Sequence, residues 1–221
     1  SHWLFKIGVL RGAPRSGALY QTGTFDGVRF VPDGAPHGPL WQVADLGLDF
    51  YAAIAWHEPR DAQGRPAWIG WIGNHAYQGR LPRQGWRGAM SLPRRLSLRR
   101  TGSGWQLRQE VELATAGTVP QVGHVAAAVP AAARLELPDC QEFSLTIGDS
   151  AGRLLVVERR EDLMLVTRRD PVSPFLDTVA RVRRADIGSL RLWLDGGSIE
   201  AIGADGGLCF TLQHRLEGEG Y

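Results

Sequence analysis

Short apolar or alternating runs, broken every few residues by Gly, Pro or Asp, constrain this chain more than any other feature. They occupy residues 3–10, 18–25, 28–32, 49–56, 67–73, 94–100 and 105–111, then 143–148, 154–161, 163–169, 189–195, 198–204 and 208–215. Many short strands at this spacing, with no convincing amphipathic helix between them, specify an all-β protein. Turn chemistry agrees. Phe25-Asp26-Gly27, Asp195-Gly196-Gly197 and Asp205-Gly206-Gly207 stand between runs, and Asp-Gly is a hairpin signal because glycine accepts positive φ. Residues 126–138, "AAAVPAAARLELP", are Ala-rich but interrupted by Pro130. They read as a linker or edge stretch, with a short helix as the alternative.

The 221 residues suffice for one large domain or two small ones. Seven of the eight tryptophans have appeared by Trp105, after which the chain turns Leu/Val-rich. That shift places a boundary at about 97–120. The first segment carries aromatic, site-like chemistry, and the second resembles a packed β-sandwich. Lys6 is the sole lysine, and the arginines are scattered, giving a formal charge of +2. "RLSLRR" and "RVRR" alternate with apolar residues as exposed strand faces do, so no nucleic-acid surface is expected. No apolar run has membrane-spanning length, so no membrane partner is expected. Cys140 and Cys209 allow one disulfide or two buried thiols, and their spacing suits no metal site. "SHWLFKIGVL" lacks the features of a signal peptide and starts inside a strand. The expectation is therefore a chain that begins mid-fold.

Three clusters carry candidate chemistry. "DFYAAIAW" places Asp49, Tyr51 and Ala53 on one strand face and Phe50, Ala52 and Ile54 on the other. Room beside the alanines would admit a polar ligand; an Asp bonded to a turn and a half-buried Tyr explain the same residues. "WIGWIGNHAY" alternates Trp71, Gly73, His75 and Tyr77 against Trp68, Gly70, Ile72 and Asn74. Aromatic rings stack on the C–H faces of sugars while Asn and His bond hydroxyls; a Trp-rich core strand with a polar end is the plainer alternative. In "WRGAMSLPRRL", Arg87 and Arg94 could clamp a carboxylate or a backbone carbonyl, most simply in a structural role.

The order and wording of "YQTGTFDGVRF", "LGLDFYAAIAW", "GRPAWIGWIGNHAY" and "GWRGAMSLPRRLSL" resemble glycoside hydrolase family 32, the invertases, inulinases and levanases. The tail resembles that family's Asp-x-x-Ser-x-Glu stretch through Asp195, Ser198 and Glu200. The resemblance implies the last blades of a five-bladed β-propeller over 1–100, a linker over 101–120, and a β-sandwich over 121–221 that lacks a final strand or two. It implies retaining hydrolysis of terminal fructosyl bonds in sucrose, levan or inulin by two carboxylates, with no cofactor and no metal. Asp49, Tyr51, Trp71 and His75 are the implied substrate-binding residues, His75 standing where the family has a second Trp.

The family's nucleophile, transition-state and acid motifs belong upstream of "SHWLFKIG", so no catalytic residue is assigned in this chain. Arg169-Asp170-Pro171 spells one of those motifs but lies far downstream, and reads as a strand end and turn; Asp139-Cys140 is likewise misplaced. The expectations are a companion N-terminal segment that completes the propeller, and a chain inactive alone. A secreted or periplasmic location is favoured over a cytoplasmic one. A non-catalytic carbohydrate-binding or structural module is the alternative, since fold does not fix function.

Overall fold

The computed structural model describes residues 2–10, 17–34, 41–56, 58, 60–81, 88–111, 132–140, 142–183 and 188–216. Among them the protein is all-β, with two single turns of 3₁₀ helix at Gln78–Arg80 and Pro174–Leu176. Arg87 and residues 126–131, both singled out above, lie outside the described residues. Every strand pairing is antiparallel.

The first half forms two sheets. One contains β1 (Trp3–Val9), β2 (Gly17–Phe25), β3 (Phe30–Pro32) and β4 (Gln42–Val43), in the order β1-β2-β3 with β4 also on β2. The other contains β5 (Phe50–Trp56), β6 (Ala67–Ile72), β7 (Ala89–Met90), β8 (Arg94–Thr101) and β9 (Gly104–Val111). Its order is β5-β6-β8-β9, with β7 also on β6. Residues 104–111, inside the span expected as linker, are therefore a full partner of β8.

The second half supplies β10 (Ala132–Leu137), β11 (Glu142–Gly148), β12 (Leu154–Arg160), β13 (Leu163–Arg169), β14 (Thr178–Arg183), β15 (Leu190–Asp195), β16 (Ser198–Gly203) and β17 (Cys209–Gln213). They form a β10-β15-β16-β17 sheet and a β11-β12-β13-β14 meander. The Ala-rich stretch thus ends in an edge strand, β10. Gly196 and Gly197 make the two-residue turn between β15 and β16, both at positive φ.

Alternation builds the cores. Leu155 and Val157 on β12 and Met164 and Val166 on β13 point to one side, meeting Leu135, Leu192, Ile199 and Phe210 of the other sheet in a shared cluster. Each such side chain contributes about 1.5–3 kcal/mol when fully buried. A separate cluster of Ala18, Tyr20, Phe50, Ala53, Trp68, Leu96 and Leu107 holds the first two sheets together. Each half therefore has its own core.

The halves meet at a seam made of small apolar clusters and buried charge. Val111 packs on Trp193, Ile202 and Cys209, and Tyr77 and Leu81 pack on Leu176. Arg94 is 0 % exposed. Its Nη1 donates to Asp45 Oδ2 at 2.8 Å and its Nη2 to Glu200 Oε2 at 2.6 Å and Thr211 Oγ1 at 2.7 Å. Burial opposes the Arg94 charge, but Glu200 and Asp45 outweigh it and hold the pKa above the usual range. Arg94 is thus the carboxylate clamp that the sequence suggested, in a structural role. Glu200, from the Asp-x-x-Ser-x-Glu stretch, is its partner across the seam.

The cysteines are unbridged. Cys209 is buried, which pushes its thiol up to about 12, whereas Cys140 is partly exposed. Asp170 follows β13 and caps a turn, its Oδ1 accepting the Val172 and Ser173 N–H groups at 3.0 and 2.9 Å. His214, just past β17, is buried, and desolvation pushes its imidazole down to about 4. Among the described strands β1 lies at a sheet edge, and its Trp3 and Phe5 are 47 % and 46 % exposed. Phe5 lies 5.4 Å from Phe30 and 5.9 Å from Trp41, and Trp3 lies 5.5 Å from Phe25, so one side of this sheet presents an aromatic belt. Lys6 Nζ donates to Ala53 O at 2.6 Å, tying β1 to β5. No helix among the described residues is long and apolar enough to cross a membrane.

Candidate functional site

The candidate site begins where strand alternation fails twice. β5 and β6 lose register between Tyr51 and Ile54, and Ala52 takes φ 49° there. A bulge inserts a residue and re-aims its neighbours. Here Phe50 and Ala53 turn inward while Ala52 and Ile54 turn out, so the expected two-face pattern does not hold. β6 ends at Ile72, and residues 75–77 form a turn rather than more strand. His75 is consequently exposed, and Tyr77 is carried to the buried side, away from Trp71.

Tyr51, Trp71 and His75 come together as three rings. The Tyr51 and His75 centroids lie 4.9 Å apart and nearly perpendicular at 88°. Trp71 lies 5.2 Å from His75 and 6.2 Å from Tyr51. Tyr51 and Trp71 are half-buried. The indole occupies a slot that only glycines allow. A Cβ on Gly73 would sit 2.3 Å from Trp71 Cζ2, and one on Gly88, at φ 74°, would sit 2.2 Å from Nε1. The glycines of "WIGWIGNHAY" are thus explained by rings: Gly73 by Trp71, and Gly70 by Phe50, whose ring a Cβ would meet at 2.4 Å. Trp68 is a core residue, its Nε1 donating to Gln109 Oε1 at 3.0 Å.

Asp49, expected beside Tyr51 at the sugar, stands apart from this exposed surface and is buried. Its carboxylate is 0 % exposed and saturated by protein donors. Oδ1 accepts the Tyr77 hydroxyl; Oδ2 accepts Arg168 Nη1 and the Gln213 N–H, each at 2.9 Å. Burial pushes the Asp49 carboxyl above its ordinary pKa, against the pull of Arg168 and of its hydrogen bonds. Burial, followed by the Asp49 charge, also raises the Tyr77 hydroxyl. Arg168, on β13, donates further to Leu176 O at 2.6 Å, Gln213 O at 2.7 Å and Tyr77 Oη at 3.2 Å. Sequence reasoning missed this role for Arg168. The one signal available was an Arg at an inward position of a strand otherwise burying Met164 and Val166.

Chemically, three adjoining aromatic faces with an imidazole at the open edge can stack on an apolar sugar face and bond a hydroxyl. No group of His, Cys, Asp and Glu among the described residues could hold a metal ion.

Residues 3–110 match the glycosyl hydrolases family 32 N-terminal domain. The chain is 37% identical over 109 residues to the levanase of Bacillus subtilis (strain 168), covering 48% of this chain and 16% of that protein. It is 28% identical over 233 residues to the levanase of Bacillus sp. (strain L7), covering 89% of this chain and 25% of that one. Its fold matches the crystal structure of exo-inulinase from Aspergillus awamori with a TM-score of 0.81 at 23% identity, over 99% of this chain and 49% of that one. The chain thus spans about half the length of that solved enzyme and a smaller share of the levanases. The match over 3–110 contains all three rings of the aromatic wall, and the fold likeness extends through the second half. The likeness to the solved exo-inulinase bears on the fold alone; on the family-model match and the levanase similarity, the chain belongs to glycoside hydrolase family 32.

Proposed function

We propose that this chain is the C-terminal portion of a retaining β-fructofuranosidase that releases terminal fructosyl units from sucrose, levan or inulin. The observation that carries it is the Tyr51–Trp71–His75 wall, lying within the stretch that matches the family. The first two sheets are late blades of a β-propeller, the two sheets beyond β9 are a β-sandwich, and the join falls within 101–120. Tyr51, Trp71 and His75 line the fructosyl pocket, and Asp49 braces it from behind.

The chemistry needs a carboxylate nucleophile and a carboxylic acid about 5–5.5 Å apart. They are supplied by a companion N-terminal segment. The aromatic belt of Trp3, Phe5 and Phe25 on edge strand β1 supports this, because an open edge with exposed rings invites a covering element. Extracellular location is proposed from the relatives, which include an "Extracellular exo-inulinase" of Aspergillus awamori. The alternative, a non-catalytic sugar-binding module, is favoured by one observation: the carboxylate nearest in sequence to the wall, Asp49, is fully engaged by protein donors.

The test is fructose release from sucrose, inulin and levan by the chain with and without the supplied N-terminal segment. Release only in the combined sample is expected. Hydrolysis by the isolated, monomeric 221-residue chain would defeat the companion-segment proposal. Fructoside binding with no hydrolysis in either sample would establish the module instead.

A further inference from the structure

The aromatic wall is rooted in the other half of the molecule. Tyr51 and His75 stand on two segments, 48–51 and 73–77, that are stapled to each other. Gly73 N donates to Asp49 O at 3.1 Å, and Asn74 Nδ2 donates to Leu48 O at 2.8 Å. Asn74 then closes the turn beneath His75: its Oδ1 accepts the Ala76 N–H at 2.9 Å, and its carbonyl accepts Tyr77 N at 3.1 Å and Gln78 N at 2.8 Å. Both segments end on the same guanidinium. Asp49, two residues before Tyr51, and Tyr77, two residues after His75, are both bonded to Arg168. Arg168 lies 119 residues from Asp49 in sequence and is itself fixed by Leu176 O and Gln213 O.

We propose that Arg168 is a positioning residue for the aromatic wall, fixing the Tyr51–His75 contact from the second half of the chain without touching a ligand. Three features carry this. The guanidinium is planar and satisfies Asp49, Tyr77 and two carbonyls in one fixed fork, which a point-charge ammonium cannot reproduce. Its partners sit at the roots of two of the three rings. Finally, strand pairing holds Tyr51 opposite Trp71 but stops short of His75, which stands on a turn, and Tyr51 borders the bulge, so the Tyr51–His75 contact is not set by the ladder. The second half therefore contributes to ligand selection as well as to stability. The ligand's being a fructoside rests on the function proposed above; the positioning itself does not.

The experiment records the imidazole resonance of His75 by NMR in the histidine-labelled protein, alongside titration with fructose and sucrose followed by tryptophan fluorescence. The edge-on Tyr51 ring 4.9 Å away makes the His75 resonance a direct gauge of their contact. Arg168→Met is expected to shift that resonance and to weaken sugar binding roughly tenfold, the scale of one or two rings that must be re-ordered on binding. Arg168→Lys is expected to shift it in the same direction by less. It is also the variant to read if Arg168→Met does not fold. Leu192→Ala, a cavity in the second-half core, is the control: it lowers stability and leaves the resonance in place. An unmoved His75 resonance in the folded Arg168 variants overturns the proposal, as does an equal shift in Leu192→Ala. If the resonance moves with Arg168 but neither sugar perturbs the wild-type protein even with the N-terminal segment supplied, the positioning role stands and the fructoside function fails.

Discussion

Replacing Arg94 by Met removes a cation from a site without solvent. Arg94 serves Asp45, Glu200, Gln109 and Thr211 at once. Asp45 keeps the Gly47 and Thr211 N–H groups and the Thr211 hydroxyl, so it remains solvated by protein. Glu200 keeps the Leu92 N–H on Oε1, but its Oε2 loses the Arg94 bond. Deleting one partner of a buried ion pair costs about 3–5 kcal/mol, a large share of the ~5–15 kcal/mol that stabilises a domain. Urea unfolding of the purified protein, followed by tryptophan fluorescence, should show a lower midpoint at nearly constant slope.

The loss also has a pH signature. Burial pushes the Glu200 carboxyl above its ordinary 4.5, and Arg94 is the main group pulling it back. Without Arg94 the folded state holds a proton that the unfolded state releases. Stability from such a raised group is present below the unfolded pKa and disappears as pH rises through the folded one. The deficit of Arg94→Met is therefore smaller at about pH 5 than at about pH 8, and adding Glu200→Gln removes the difference and recovers part of the loss. A deficit below about 1 kcal/mol, the size of an exposed pair, or one independent of pH, would refute a buried, charge-compensating role for Arg94.

Three further outcomes can be checked by unfolding measurements. His214 is held neutral by burial at about 4 against an ordinary 6.5, so its contribution is present above 6.5 and is lost as pH falls toward 4. His214→Gln should flatten that limb of the stability profile by roughly 3 kcal/mol; an unchanged limb would mean that His214 titrates normally. Gly47→Ala places a Cβ 1.9 Å from Thr211 O and 2.2 Å from Thr211 N, both backbone. It should cost about 3 kcal/mol, and an unaltered Tm would show that the seam yields freely. Glu161 sits at φ 54° in the turn joining β12 to β13; Glu161→Gly should stabilise by about 0.5–1 kcal/mol, and a lower Tm would show that the turn prefers the side chain.

The strands were legible wherever alternation was bounded by turn chemistry, as at Asp26-Gly27 and Gly196-Gly197. β4 and β7, two residues each, are too short to carry a period. β10 was hidden by alanines, which suit a strand poorly on their own; tertiary pairing sets Ala133 opposite Leu194 and Leu135 opposite Leu192. At the candidate site, Tyr51, Trp71 and His75 were singled out by their chemistry, and the structure brings the three rings together. Face assignments were less secure, because a period-2 argument assumes an uninterrupted strand. The bulge at Ala52 and the turn after Ile72 break that assumption, so Tyr77 went to the wrong side. The burial of Asp49 was illegible for a different reason. Its partners Arg168 and Gln213 lie 119 and 164 residues away, and no local pattern announces a neighbour made by tertiary packing.

The bond from Lys6 to Ala53 has a practical consequence. Lys6 is the single lysine of these 221 residues, so acylating reagents meet one ε-amine in this chain. That amine is occupied on a carbonyl of β5 and half-buried, which screens it from a reagent. Its labelling rate therefore reports whether the first sheet is seated on the second: slow while the contact holds, fast once β1 lifts away. Acylation mapped to the Lys6 peptide, and so separated from that of the N-terminal α-amine, would footprint that docking event over time without engineering any residue.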